Sequence, residues 1–419
     1  MEQIVINGGK QLSGRVEVSG SKNAALPILF ATILTNDVSV IENVPQINDV
    51  KLTLQILREM GATVKELDYT TVEIDTRNVV GGTSPYELVR KIRGSTYLMG
   101  AELGRFGCAR VGWPGGCDFG VRPIDQHIKA FEALGATFAN DNGFFNITSE
   151  DGLRGCNIYF DTVSVGATVN AILAAVTAEG VTIIDSPAKE PHIVDLANFL
   201  NTCGASISGA GTDVIKVKGT PDLHGCTYTI IPDMIEAGTY MIAAAATNSE
   251  IEVANVIPKH LEAISAKLCE MQIEVVEYDD SVVVKKADKM TNVNVKTLPY
   301  PGFPTDMHPQ MAALMCLAGG MGRITETIFD NRFKYVEELS RMGASINVVD
   351  NVAIIEGGKG FSPAPVRAVD LRAGAAMIIA GLSTKGVTVI SDIDIIERGY
   401  VDIVEKLQSL GANIEKRSS

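Results

Sequence analysis

The run Trp113-Pro114-Gly115-Gly116-Cys117-Asp118-Phe119-Gly120-Val121-Arg122-Pro123-Ile124-Asp125 sets a thiol between a glycine pair and a carboxylate, with a guanidinium five positions on. A cysteine kept for packing sits in an apolar run, because thiols bury well. Cys117 has no such run. Gly115 and Gly116 let the backbone bend sharply or approach a ligand, and Pro114 and Pro123 stiffen the two ends. The segment reads as a loop that carries a reactive thiol. Asp118 raises the proton affinity of that thiol and Arg122 lowers it. A thiol near neutrality can give a proton as well as attack, and the spacing leaves both open.

Other residues could share that chemistry. Lys22-Asn23 follows the strand-like Val16–Ser19 and opens a helix, and Arg93 and Arg372 stand at equivalent places elsewhere. Helix starts already carry unpaired N–H groups and partial positive charge, so added cations there favour an anion. Asp306, in Phe303-Pro304-Thr305-Asp306-Met307-His308-Pro309, reads first as a helix cap; its sharper reading is a general base. Asp233 and Asp370 carry the same ambiguity. Arg332 and Arg398 lie in loops beside aromatic residues or glycine. Most such arginines are surface charges, and forked binding of phosphate or carboxylate is the alternative.

The elements that must position these groups repeat. Leu57-Arg-Glu-Met-Gly61-Ala recurs as Phe131-Glu-Ala-Leu-Gly135-Ala, Phe199-Leu-Asn-Thr-Cys-Gly204-Ala, Leu268-Cys-Glu-Met-Gln272, Leu339-Ser-Arg-Met-Gly343-Ala and Leu407-Gln-Ser-Leu-Gly411-Ala. Each reads as the end of an amphipathic, solvent-facing helix capped by glycine and running into a strand. Gln272 alone lacks the glycine. The interval is roughly 70 residues, longer than most solenoid periods. Between these lie helices apolar nearly all round, such as Ala171–Ala175, Met241–Ala245 and Ala312–Leu317, and such helices are buried. Six copies imply an α/β chain of two domains, three units each, with buried helices at each centre. If rotation relates the units, their helix N-termini point the same way, and two such domains facing each other would form an anion-binding cleft.

Composition agrees. A chain of 419 residues exceeds one compact core, and 46% hydrophobic with 21% charged residues describes a soluble globular protein. A formal charge of −14 argues against nucleic acid or an anionic membrane as partner. The seven cysteines have no paired spacing, and the five histidines show no HxxxH or HxH pattern, so neither a metal nor a disulfide framework is expected. Core packing is expected for Cys108, Cys156, Cys203, Cys226, Cys269 and Cys316. The first residues do not read as a signal peptide and no run is long enough to span a bilayer. A cytoplasmic protein with reduced thiols is expected. The chain also lacks GxxxxGK[ST] and a GxGxxG after its first strand.

Ser21-Lys22-Asn23, Pro114-Gly-Gly-Cys117, Arg122-Pro-Ile-Asp125, Ser164-Val-Gly-Ala-Thr168, Phe303-Pro-Thr-Asp306, Glu326-Thr-Ile-Phe329 with Asn331-Arg332-Phe333, Asp370-Leu-Arg372 and Arg398-Gly-Tyr400 occur in order. Over its full length the chain resembles the UDP-N-acetylglucosamine 1-carboxyvinyltransferases, enolpyruvyl transferases of the EPSP synthase superfamily. The resemblance implies a two-domain inside-out α/β barrel of six βαβαββ repeats. Domain A would span 22–231, and domain B 1–21 plus 232–419, joined by a double crossover. It implies transfer of the enolpyruvyl group of phosphoenolpyruvate to the 3′-hydroxyl of UDP-N-acetylglucosamine, by addition then elimination, by a monomer without cofactor.

The same resemblance assigns roles residue by residue. Lys22, Arg122 and Arg398 would meet the phosphate and carboxylate of phosphoenolpyruvate, with Arg332 and Arg372 close by. Cys117, on a segment acting as a lid, would deliver a proton to the methylene carbon and be the target of fosfomycin. Asp306 would take the proton of the attacking hydroxyl. Asn23 would hold the sugar and the intermediate. Arg93, Pro123, Ile124, Asp125, Gln126, Thr162, Val163, Ser164, Val165 and Ile328 would line the nucleotide-sugar site, with Asp233 and Asp370 also toward substrate. Asn48 and Thr162 replace lysines of many relatives, and Tyr97 a tryptophan, which implies rearranged diphosphate contacts. EPSP synthase itself is the nearest rival, and the Pro-Gly-Gly-Cys run argues against it. A ring-like clamp would need a basic inner face, which the net charge argues against.

Overall fold

The recurring Gly-Ala phrase has a backbone cause. Gly61, Gly135, Gly204, Gly343 and Gly411 adopt φ of 105°, 94°, 99°, 91° and 94°, the left-handed region that ends a helix and that glycine enters without penalty. Gln272 occupies the sixth position and is held at φ 71°. The geometry is kept where the preferred residue is missing.

The computed structural model describes residues 2–82, 84–115 and 123–418. They form two units. One holds the described residues up to Ser19 and those from Pro232 onward; the other holds the described residues between Gly20 and Ile231. Each has three central helices. In the second unit these are α1 (Lys22–Ala31), α2 (Tyr97–Phe106) and α3 (Val165–Ala175). In the first they are α4 (Met234–Ala246), α5 (His308–Leu317) and α6 (Leu371–Ser383). Every residue from Leu371 to Leu382 is buried, as is every residue from Ala24 to Ala31. Side chains such as Met377, Ile379 and Leu382 each contribute about 2 kcal/mol by leaving water. Glycine allows the closest helix approach: a Cβ on Gly100 of α2 would lie 2.7 Å from the carbonyl oxygen of Asn170 on α3.

Each repeat closes with its own sheet. In one, Asn157–Tyr159 precedes α3, Val181–Asp185 follows it, and the outer helix Pro191–Thr202 leads to Ser206–Ser208 and Val214–Lys218. The first two strands pair parallel and the rest antiparallel. This is the βαβαββ pattern. Five sheets have four strands, and that of Cys108–Gly112, Thr137–Asp141 and Phe144–Thr148 has three among the described residues. Two strands come from far along the chain. Ser13–Glu17 pairs parallel with Glu250–Ala254, and Thr227–Thr229 pairs parallel with Val38–Glu42. Each supplies the parallel edge strand of a repeat whose remaining elements lie elsewhere in sequence.

Two expectations need correction. The outer helix Pro191–Thr202 is closed in on most sides, with only Asn198, Asn201 and Thr202 exposed, because it packs against both α1 and α3. Core packing fails for four of the six cysteines. Cys269 is exposed and Cys108, Cys156 and Cys226 are half-buried, since strand edges and helix ends leave one side open. Only Cys203 and Cys316 are buried, and burial pushes the Cys316 thiol up to about 12. The sulfurs of Cys203 and Cys226 lie 3.3 Å apart, a pairing their spacing did not reveal. Among the described residues no helix is long and apolar enough to cross a membrane.

Two outcomes follow for stability. Gln272 is exposed and left-handed, so Gln272→Gly relieves backbone strain larger than the entropy it adds to the unfolded chain; stability rises by about 0.5–1 kcal/mol in urea unfolding. Glu102 on α2 is buried, accepting from the backbone N–H of Arg110 at 3.2 Å. Burial pushes its carboxyl up from 4.5 to about 7, outweighing the N–H groups of Arg110 and Gly82. The folded chain therefore keeps a proton that the unfolded chain loses above pH 4.5, and stability falls as pH rises from there to about 7. Urea midpoints of Glu102→Gln measured across that range are flatter than those of the parent chain.

Candidate active site

In the unit built from Gly20 to Ile231, Ser21 caps α1, its hydroxyl accepting from Ala24 N–H, and this places Lys22 and Asn23 in the first helical turn. Lys22 is not a solvated surface charge. Its Nζ lies 2.7 Å from Asp49 Oδ2, with the side chains 12% and 5% exposed. Asp49 sits in the first turn of the outer helix Asn48–Glu59 and was not singled out in the sequence, where it looks like an ordinary first-turn acid. Asn48 beside it is exposed. Arg93 opens the short turn Arg93–Thr96 that runs into α2 at Tyr97, and is half-buried.

Two expected substrate segments meet in this unit. Gln126 Oε1 accepts from the backbone N–H of Asp161 at 3.1 Å, tying the helix start at Asp125 to Thr162, Val163, Ser164 and Val165. Ser164 caps α3 through Ala167 N–H. A Cβ on Gly166 would lie 2.7 Å from His127 Nε2, so the glycine lets the buried His127 pack against the α3 opening. Burial pulls that imidazole down to about 4, with Arg93 adding to the effect. Thr162, Val163, Pro123 and Asp125 are exposed. Cys117 and Arg122 lie outside the described residues.

In the other unit the helix openings separate into two kinds. Asp233 and Asp370 are caps: Asp233 Oδ1 accepts from Ile235 and Glu236 N–H, and Asp370 Oδ1 from Arg372 and Ala373 N–H. Asp306 is not one. It lies in the turn Thr305–Met307 before α5, where no side chain caps the helix. The capping role that pattern alone favours is overturned. Its Oδ1 instead accepts from Arg332 Nη2 at 3.0 Å, and its Oδ2 from Arg372 Nη2 at 2.9 Å and Nε at 3.2 Å. The arginines are 1% and 3% exposed, whereas Asp306 is 27% exposed.

The charges depend on one another. Burial alone would lower the pKa of Arg372; Asp306 above all, with Tyr400 and Asp233, outweighs this and leaves it raised. Arg332 was expected as a surface charge or an anion fork. Burial excludes the first, and its guanidinium lies 5.6 Å from the Phe329 ring centroid. Arg398 ends the turn Ile393–Arg398 and is half-buried. Two residues on, the Tyr400 hydroxyl meets Thr239 of α4 at 3.0 Å and Gln310 of α5 at 3.2 Å, fixing this segment to the helix starts. Ile328 is exposed, its N–H held by Glu326. Among the described residues no group of three or more His, Cys, Asp or Glu could hold a metal ion.

The sequence pattern of the EPSP synthase (3-phosphoshikimate 1-carboxyvinyltransferase) family matches residues 6–407. A UDP-N-acetylglucosamine 1-carboxyvinyltransferase 3 of Caldanaerobacter subterraneus subsp. tengcongensis is 53% identical over 414 residues, 99% of each chain. A UDP-N-acetylglucosamine 1-carboxyvinyltransferase of Clostridium botulinum is 53% identical over 415 residues, again 99% of each. The chain belongs to the UDP-N-acetylglucosamine 1-carboxyvinyltransferase family. Among solved structures, the enolpyruvyl transferase NikO of Streptomyces tendae aligns with a TM-score of 0.90 at 27% identity, covering 100% of this chain and 99% of that one. EPSP synthase of Acinetobacter baumannii aligns at 0.77 and 19% identity over 100% of both chains, which shows a shared fold. The inside-out α/β architecture that the resemblance implied is thus the fold of this transferase family.

The clamp at Asp306 has a measurable consequence. Asp306→Ala leaves two buried guanidiniums facing each other and lowers stability by about 3–5 kcal/mol. Inorganic phosphate replaces the lost negative charge, so added phosphate raises the melting temperature of this variant more than that of the parent chain. Equal shifts in the two proteins would count against the pairing.

Proposed function

We propose that this chain transfers the enolpyruvyl group of phosphoenolpyruvate to the 3′-hydroxyl of UDP-N-acetylglucosamine with release of phosphate, the first committed step of peptidoglycan precursor synthesis. The Asp306 carboxylate carries the reading. It does not cap a helix, two buried arginines hold it, and it keeps an accessible side. Guanidinium neighbours favour the charged form of a carboxylate, so Asp306 stands ready to accept a proton.

In the addition step Asp306 takes the proton of the 3′-hydroxyl, the oxygen bonds to C2 of phosphoenolpyruvate, and Cys117 gives a proton to C3. In the elimination step C3 returns a proton to the Cys117 thiolate, the bond from C2 to the phosphate oxygen breaks, and phosphate leaves with the proton that Asp306 took from the hydroxyl. Lys22, Arg122 and Arg398 neutralise the phosphate and carboxylate. Arg332 and Arg372 share that task. Asn23 holds the sugar; Arg93, residues 123–126, residues 162–165 and Ile328 line the nucleotide-sugar site. Asp233 and Asp370 fix helix openings and also face the substrate. The protein works as a cytoplasmic monomer without a cofactor.

Phosphate release tests the reading. It should require phosphoenolpyruvate and UDP-N-acetylglucosamine together, and shikimate 3-phosphate should not replace the sugar nucleotide. Asp306→Ala should still bind UDP-N-acetylglucosamine by calorimetry while kcat falls about 10²- to 10⁴-fold; turnover at the parent rate would rule out the base role. Cys117→Asp should keep measurable activity, because a carboxylic acid can also donate a proton, and should lose sensitivity to fosfomycin.

A further inference from the structure

Glu326 follows the strand Met321–Thr325 and is 1% exposed. Its backbone is pinned to Asn351 twice, N–H to carbonyl at 2.8 Å and carbonyl to Nδ2 at 2.9 Å. Its carboxylate accepts four hydrogen bonds. Oε1 takes the backbone N–H of Ile328 at 2.7 Å and of Phe329 at 3.1 Å. Oε2 takes Thr305 Oγ1 at 2.9 Å and His308 Nδ1 at 3.1 Å. Behind it, the Tyr335 hydroxyl donates to His308 Nε2 at 2.8 Å, with both rings buried.

The proton arrangement is determined. Burial would raise the Glu326 carboxyl, but His308, Ile328 and Thr305 outweigh it and leave its pKa lowered. Burial lowers the pKa of His308 despite Glu326. An ionised carboxylate cannot donate, so the neutral imidazole carries its proton on Nδ1, and Nε2 accepts from Tyr335. Every donor has an acceptor within the chain Tyr335–His308–Glu326.

Thr305 and His308 bracket Asp306, and Ile328–Phe329 begins the segment that leads to Arg332. One buried carboxylate therefore fixes both the backbone that carries Asp306 and the backbone that carries its partner. We propose that Glu326 is a positioning residue for the reaction: supported by His308 and Tyr335, it sets the aim of the Asp306 carboxylate and the seat of the sugar at Ile328. This rests on the reading of Asp306 as the base.

Glu326→Gln tests it with little change in shape. Its Oε1 can keep the two backbone N–H groups, but its Nε2 then faces the His308 Nδ1–H and forces the imidazole to move its proton. We expect kcat to fall about 10- to 100-fold, as when the support of a reacting group is removed or its aim shifts by about an ångström. KM for phosphoenolpyruvate should stay within about twofold, a split that loss of folded protein would not give. Because Glu326 acts through Asp306, the double variant with Asp306→Asn should be no slower than Asp306→Asn alone. Multiplying rate losses, or parent kcat in Glu326→Gln, overturns the proposal and leaves the base role standing. Parent kcat in Asp306→Asn removes the base role and the proposal with it. If Glu326→Gln does not fold, Tyr335→Phe takes its place: a several-fold lower kcat with unchanged KM supports the proposal, and an unchanged kcat overturns it.

Discussion

A helix buried on every side can meet solvent only at its ends. That constraint organises both units. Burying α1 through α6 along their length leaves their first turns as the places where polar groups collect, and those turns already carry unpaired N–H groups and partial positive charge. Ser21, Ser164, Asp233 and Asp370 satisfy some of these donors locally. Lys22 and Arg372 add full positive charge at the same ends, and Arg93 stands just before α2. The core is what forces the polar and charged groups to the helix openings.

Placing cations there has its own cost, because a buried charge without a counter-ion is expensive. The chain meets it locally. Asp49 balances Lys22, and Asp306 balances Arg332 and Arg372 together. In the second arrangement two guanidiniums converge on one carboxylate, with Asp233 also acting on Arg372. A protein of formal charge −14 thus gathers cations at particular helix openings, and a net charge alone says nothing of such a place.

The repeat was legible because its causes are local. A glycine at each outer-helix end answers to a left-handed φ, and an apolar helix with no polar face must be buried; both can be read without knowing what lies across the fold. Gln272 shows the limit, since the fold holds a residue there that the local rule disfavours. The site was legible as residue types and only partly as roles. Lys22, Asp306 and Arg332 could be picked out, but caps and partners depend on long-range geometry. Asp233, Asp306 and Asp370 look alike in sequence, yet two cap helices and one binds arginines. Asp49 was invisible because its partner is distant in sequence. Glu326 stood in a recognisable phrase, but its neighbours Thr305 and His308 come from another turn, and the lack of a metal-like histidine spacing hid the bonds of His308 to Glu326 and Tyr335.

The exchange of edge strands bears on how the chain is made. Among the described residues, 20–231 contain all the strands of their unit, Thr227–Thr229 included, so that unit can close as soon as it has left the ribosome. The other cannot. Ser13–Glu17 waits for Glu250–Ala254, as Leu12 waits for Ser249, 237 residues later. At ordinary rates of translation that is a delay on the order of ten to fifty seconds, during which the early strands have bare edges. Vectorial synthesis therefore makes the later lobe the vulnerable one, dependent on an amino-terminal ribbon that has to stay available while the earlier lobe matures.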